Sequence, residues 1–299
     1  MEKVLITGVS GFIGQNVATY FLSKGLDVYG VDIRPSKLTG FKFYQMDINS
    51  QEMDNVFKVN DFDYIVHLAA NSSVPYSVSY PLDDAHSNYL GSIRICELAK
   101  KYGVKRLLAA STAALYAHPR YLPVKESHPP NCLSPYAITK QSMEYYIVLS
   151  GVKYTILRFS NVYGPGQNRK GEAGVISIFI DGMNANEDIK IFGDGSQIRD
   201  FIYIDDVVDA LYQTMFSERC QNQIMNISSN TAITINELFH KIKHFTGYQK
   251  QPTYLPEREG DIKASILDNS LAKELFGFSP KVDITTGLKN SIECLKQPI

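Results

Sequence analysis

Hydrophobic positions fall into two alternating kinds of segment along the first half of the chain. Lys3 to Thr7, Val28 to Asp32, Tyr64 to Leu68, Arg106 to Ser111 and Tyr154 to Phe159 are short, nearly continuous apolar runs bounded by turn residues, and they read as strands buried on both faces. Longer stretches with apolar residues at helical spacing separate them. Strand and helix in this order predict an α/β architecture: a doubly wound parallel sheet with right-handed crossovers and helices on both faces. After about Tyr163 the pattern changes to Gly- and Pro-rich loops, short strands (Ile189 to Phe192, Gln223 to Ile227) and helices such as Asn236 to Phe245. We expect a second, smaller mixed α/β domain over 166–299 beside a first domain over 1–165, with about 204–216 returning to the first.

Composition narrows the class. With 44% hydrophobic and 20% charged residues in 299, the chain can bury an ordinary globular core. No apolar run approaches the roughly 18 to 20 residues that cross a bilayer, so no membrane association is expected. The net charge is -1 and the basic residues are dispersed, which leaves no electrostatic footprint for nucleic acid. The first strand runs straight into a glycine loop, and no cleavable leader is expected. Cys96, Cys132, Cys220 and Cys294 lie far apart and suit reduced thiols, so a cytoplasmic protein is the expectation. The histidines show no zinc-type spacing, and no metal is expected.

Thr7-Gly8-Val9-Ser10-Gly11-Phe12-Ile13-Gly14 follows the first strand and opens the first helix. Glycines there let the backbone turn tightly and press against a pyrophosphate at the helix N-terminus, although the spacing is GxxGxxG rather than GxGxxG. Asp32 ends the second strand, where a carboxylate accepts hydrogen bonds from an adenosine ribose and repels a 2′-phosphate. That favours NAD, while Arg34 nearby keeps NADP open. Asp47 and Ile48 suit the adenine edge, and a turn or helix cap is an equally consistent reading.

Tyr136 and Lys140, in Ser134-Pro135-Tyr136-Ala137-Ile138-Thr139-Lys140, stand four residues apart, one turn of a helix on one face. A phenol must fall about three units from its ordinary pKa to act as a base at neutral pH, roughly 4 kcal/mol, and one cation at about 4 Å offers a similar amount. Ser111 and Thr112 end the fourth of the apolar strands, the edge at which doubly wound sheets bind ligands. A hydroxyl there can share a substrate proton with Tyr136, or simply satisfy backbone groups.

These residues carry a resemblance. The glycine loop, His67-Leu68-Ala69-Ala70, Ser111 to Tyr116, Tyr136 with Lys140, and Leu157 to Pro165 together resemble the extended short-chain dehydrogenase/reductase family. Ile191 to Gly195, Gln197 to Asp206 and Arg258 to Ile262 extend the likeness to its nucleotide-sugar epimerase and dehydratase branch, over nearly the whole chain. The resemblance implies a Rossmann-like fold, bound NAD, and a homodimer paired through about Asp84 to Lys101 and Pro135 to Leu149. It implies that Tyr136 takes the proton of a sugar 4-hydroxyl while hydride passes to NAD, and that Thr112 bridges phenol and sugar. Lys140 would also hold the nicotinamide ribose. Leu68, Ala69, Ala70, Asn88, Ser111 and Phe159 would complete the cofactor site. Asn161, Val175, Phe192, Arg199, Arg258, Asp261 and Ser265 would line the substrate, the two arginines clamping the diphosphate and Phe192 stacking near the base.

Within that branch, dehydratases place an Asp-Glu pair after the catalytic threonine, because eliminating water needs an acid and a base. Here those positions are Ala113 and Ala114. The expected reaction is therefore C4 epimerisation of a UDP-sugar through a transient 4-keto sugar, with another reaction of the branch, or a catalytically silent NAD(P) sensor, as alternatives. In the family the position of Ser265 limits the room around the sugar C2 group; a small residue there implies acceptance of N-acetylhexosamines. Ala117, where the family usually has glycine, departs from the pattern.

Overall fold

The computed structural model describes residues 1–167, 174–257 and 262–296. In chain order the strands are β1 (Lys3–Thr7), β2 (Asp27–Asp32), β3 (Lys42–Gln45), β4 (Tyr64–His67), β5 (Arg106–Thr112), β6 (Tyr154–Phe159), β7 (Asn161–Tyr163), β8 (Lys190–Phe192), β9 (Ile198–Tyr203), β10 (Gln223–Ile227), β11 (Ala232–Thr234), β12 (Thr253–Leu255) and β13 (Ala264–Ser265). Seven form one sheet in the order β10-β6-β5-β4-β1-β2-β3, and every pairing in it is parallel.

The alternation along single strands explains the layering. Val4 and Ile6 of β1, with Leu108 of β5, belong to one buried cluster. Leu5, Leu107 and Ala109 belong to another on the opposite face. Side chains one residue apart on a strand point to opposite faces, so a strand apolar at every position needs cover on both. The helix Phe12–Ser23 packs Val17, Ala18 and Phe21 into the first cluster, and the helix Pro135–Leu149 packs Met143 and Ile147 into the second. Only β3 breaks the apolar pattern, because it is an edge strand whose residues are half-buried or exposed.

Winding reverses at β1. From it the chain goes one way to β2 and β3, then crosses to β4 on the other side and continues to β5 and β6. The carboxyl ends of β1 and β4 therefore frame an uncovered crevice. Gln223–Ile227, which the hydrophobic pattern groups with the second lobe, instead joins this sheet as β10 beside β6. Three apolar residues among five suit a buried sheet position in either lobe, and only the pairing partner distinguishes them. The helix Ile204–Phe216 lies near Phe12–Ser23, and Tyr20 and Phe21 meet Tyr212 edge to face.

The remaining strands lie past the carboxyl end of β6. β9 is the hub of a four-stranded sheet with β7, β11 and β13, and β8 pairs with β12. Arg199 of β9 stands directly opposite Ser265 of β13 in parallel register, which puts both side chains on one face of that sheet. Phe179 and Phe239, from the helices Val175–Asn184 and Ile235–Thr246, extend the first core cluster into this region. Among the described residues no helix is long and apolar enough to cross a membrane.

Candidate active site

The glycine loop has no room to be anything else. Gly8 has φ +73°, and a Cβ there would sit 2.7 Å from the Ala69 backbone nitrogen. A Cβ on Gly14 would sit 2.1 Å from the Gly8 carbonyl oxygen. Gly11, at the N-cap of Phe12–Ser23, supplies no side-chain cap, and the first turn contains no acidic residue. Close backbone approach at the positive end of a helix is the chemistry a pyrophosphate requires. The buried Asp32 accepts from the Ser10 N–H at 2.9 Å and the Arg34 N–H at 2.8 Å, so its carboxylate also shapes the loop. Each carboxylate oxygen has a second lone pair to offer a ribose. These residues fit a dinucleotide. Phe12 is buried and Ile13 half-buried where the helix opens.

Asp47 is exposed and accepts from the Asn49 N–H at 2.8 Å, the turn-forming alternative that its sequence allows. Ile48 is buried close to Gly91, where an added Cβ would lie 2.5 Å from Ile48 Cδ1.

Beyond β4, Leu68, Ala69 and Ala70 are partly exposed. The N–H groups of Leu68 and Ala69 both donate to Thr7 Oγ1 at 3.2 Å. The Thr7 hydroxyl then has its own proton to give to His67 Nδ1, 2.8 Å away. His67 Nε2 is 2.9 Å from Ser92 Oγ, which donates to the Asn88 carbonyl at 2.5 Å. One neutral tautomer, protonated at Nε2, satisfies the whole chain. Burial, and then the Lys140 ammonium, push the His67 imidazole down to about 3.

Thr112 ends β5 opposite Phe159 of β6. Its Oγ1 accepts from the Ala114 N–H at 3.1 Å. Tyr136 sits in the first turn of Pro135–Leu149, whose N-cap Ser134 accepts from the Ala137 N–H at 3.2 Å. Burial pushes the Tyr136 phenol up to about 12, the Thr112 hydroxyl pulls it down, and the Asp84 carboxylate pushes it up. Tyr136 as a whole residue is half-buried. Lys140 is buried and donates from Nζ to the Ala110 carbonyl at 3.0 Å. Burial lowers Lys140 to about 8, against the carboxylates of Asp84 and Glu144. The sequence places phenol and ammonium on one helix face, which holds. In the ligand-free chain burial is the largest influence on the phenol, and the Lys140 ammonium is bonded to the Ala110 carbonyl of β5.

Two of the residues expected at the cofactor have internal partners in the ligand-free chain. Asn88 has no exposed surface; its Oδ1 accepts from the Asn71 N–H at 2.7 Å and its Nδ2 donates to the Asn71 carbonyl at 3.0 Å. The enclosed amide holds the Asn71 backbone. Ser111 donates to Glu144 Oε1 at 2.5 Å, so its hydroxyl turns into the protein. Glu144 also takes two bonds from Arg158, whose Nη1 donates to the Tyr116 hydroxyl. Sequence reading passed over Glu144 and the pairing role of Arg158, although a lone charge within Leu157-Arg158-Phe159 is a signal, since buried charges need partners. Asp84 was also missed.

In the second region, Asn161 Nδ2 donates to the Asp200 carbonyl at 3.0 Å, and Val175 opens the helix Val175–Asn184. Phe192 ends β8, opposite Leu255. Arg199 donates to the Ile198 carbonyl at 2.9 Å. Arg258 and Asp261 lie outside the described residues. No group of metal-ligating residues occurs among the described ones.

Comparison with known proteins bears on this geometry. Residues 4–228 match the profile of the NAD dependent epimerase/dehydratase family. The chain is similar to a UDP-glucose 4-epimerase from Thermotoga maritima solved with UDP-glucose, at 40% identity, TM-score 0.95 and 98% of both chains covered. It is similar to the Thermus thermophilus UDP-glucose 4-epimerase in complex with NAD, at 31% identity and TM-score 0.91, over 99% of this chain and 100% of that one. A UDP-N-acetylglucosamine 4-epimerase from Methanobrevibacter ruminantium, in complex with UDP-N-acetylmuramic acid, matches at 31% identity and TM-score 0.92, over 99% of this chain and 98% of that one.

The loop and His67 each yield a prediction. Gly8→Ala combines an unfavourable φ with a backbone clash and should weaken NAD binding by about tenfold or more; calorimetric titration measures it, and undiminished affinity would contradict the loop's place. Because His67 is held neutral in the folded chain, the unfolded chain takes up a proton that the folded one refuses. Stability should fall by up to about 1.4 kcal/mol per unit as pH drops from about 6.5 towards 3. Urea unfolding of the wild type and His67→Gln across that window tests this, the variant lacking this component.

Proposed function

The chain belongs to the NAD dependent epimerase/dehydratase family, and on that premise we propose that this enzyme inverts C4 of a UDP-sugar. The observation that supports the reading is that Tyr136 bonds to Thr112 at the carboxyl end of β5, while Lys140, one turn further along the helix, donates to Ala110 of the same strand, and that Ala113 and Ala114 supply neither acid nor base for dehydration. When bound, oxidised NAD supplies a hydride acceptor for C4 and a positive ring charge.

The protein's task is the proton of the 4-hydroxyl. Tyr136 Oη takes it and later returns it, and Thr112 steadies the exchange by donating to the phenol. A phenol held near 12 keeps its proton at neutral pH, so cationic charge must offset its burial. Lys140, at about 8, is still mostly protonated at pH 7 and is one such cation. Inverting C4 further requires the sugar to present both faces to the same site. Binding energy placed on the nucleotide, through Arg199, Phe192, Asn161 and Val175, and through Arg258 and Asp261 by family resemblance, leaves the ring free to turn. Asp32 supports NAD over NADP. Ser265, small and opposite Arg199, supports turnover of UDP-N-acetylglucosamine or its uronic acid at least as well as UDP-glucose.

Two chains are proposed to pair through the segment around Asp84 to Lys101 and the helix Pro135–Leu149, where Leu90, Ile138, Tyr145 and Leu149 are exposed. Light scattering at micromolar concentration should give twice the chain mass; a monomer removes the proposal.

NMR of products from UDP-glucose, UDP-N-acetylglucosamine and UDP-glucuronate tests the reaction. We expect inversion at C4 without net NADH formation; loss of water would select a dehydratase instead. Tyr136→Phe should lower kcat by about 10²- to 10⁴-fold with NAD binding intact. Ser265→Tyr should block the N-acetylated substrate selectively, and equal loss on all substrates would reject its role at C2.

A further inference from the structure

Asp84 is a fully buried carboxylate that the reaction as described does not use. It lies in the short helix Pro81–Ala85 and closes a triangle of hydrogen bonds. Its Oδ2 accepts from Thr139 Oγ1 at 2.6 Å, its Oδ1 accepts from Asn88 Nδ2 at 3.0 Å, and Asn88 Nδ2 also donates to Thr139 Oγ1 at 3.2 Å. Each corner belongs to a different part of the cleft. Thr139 precedes Lys140 and lies one turn after Tyr136 on the same helix. Asn88 holds both backbone groups of Asn71, directly after the Leu68–Ala70 loop.

From this placement we propose that Asp84 is the positioning residue of the Tyr136/Lys140 pair: it locks the catalytic helix to the Leu68–Asn71 loop and sets the negative charge that both catalytic groups face. The charged neighbours are few. Lys140 faces Asp84 from one helix and Glu144 from its own. Tyr136 faces Asp84 and the Thr112 hydroxyl. His67 of β4 is held neutral and contributes no charge near pH 7. Burial raises Asp84 above the ordinary carboxylate range, while Thr139, Lys140 and Asn88 favour its ionised form. A negative group in this position keeps the buried Lys140 ammonium protonated, so its loss should release that proton at lower pH.

The proposal rests on the assignment of Tyr136 and Lys140 made above, and its test is chosen to separate the two. The Lys140 titration is followed in the ligand-free full chain by 13Cε-lysine NMR, the signal being identified by its absence in Lys140→Met. Asp84→Asn keeps the shape but removes the charge and one acceptor. It should move the Lys140 midpoint, and the alkaline limb of kcat/KM, to lower pH by about one unit, with kcat down about tenfold or more. Thr139→Val keeps the charge and removes the tether; kcat should fall with both midpoints in place. An unmoved Lys140 midpoint in Asp84→Asn overturns the proposal, even if activity is lost. Should Asp84→Asn fail to fold, Thr139→Val decides, and parental kcat in that variant overturns the proposal. Absence of epimerisation by the wild type would sink the functional reading alone, because the Lys140 titration needs no substrate.

Discussion

The site exists because the sheet reverses its winding at β1. The chain leaves β1 towards β2 on one side and returns from β3 to β4 on the other, so the carboxyl ends of β1 and β4 stay uncovered and the loops that follow them lie side by side. Thr7 ties the two together, its hydroxyl bound to both N–H groups of the second loop while its backbone leads into the first. Gly8 then passes so near Ala69 that only glycine fits. A shift in either strand would change the floor on which a dinucleotide lies.

Charges beneath this floor are handled by pairing. Arg158 and Glu144 are both buried and meet in two hydrogen bonds, with Ser111, Tyr116 and the Glu126 carbonyl taking up further valences. Such an array adds little net stability compared with apolar packing, yet removing one partner would leave an uncompensated charge. Its value is directional. It anchors Ser111, the neighbour of Thr112, to the same helix that carries Tyr136 and Lys140. Asp84, Asn88 and Thr139 do the same from the other side of that helix.

The demands of the proposed reaction and of packing meet most sharply at Lys140. Burial lowers its proton affinity, while two carboxylates restore part of it. The result is a cation that persists near neutral pH yet sits close to its titration point, unlike an exposed lysine. Tyr136 shows the converse: enclosure favours the neutral phenol, so the unliganded chain does not hold a ready-made base. Reactivity then belongs to the assembled complex of chain, cofactor and sugar.

What the sequence determines by itself is local. Five apolar runs named five strands within a residue at each end, since a strand buried on both faces leaves a pattern that no neighbour can alter. The glycine loop was legible because only Gly tolerates φ +73° with a backbone 2.7 Å from the missing Cβ, and the Tyr136/Lys140 pair because helical geometry fixes a four-residue spacing. Everything that depended on partners distant in the chain was decided by tertiary structure. β10 reads like any short apolar strand until β6 is there to pair with it. Asn88 and Ser111 look like cleft residues until packing encloses the one and turns the other onto Glu144. Asp84 resembles a surface aspartate in the first turn after a proline until Thr139, 55 positions later, arrives 2.6 Å away. Periodicity and spacing act over one or two turns of chain, whereas burial and hydrogen-bond partnership are properties of the folded contact, and no single segment carries them.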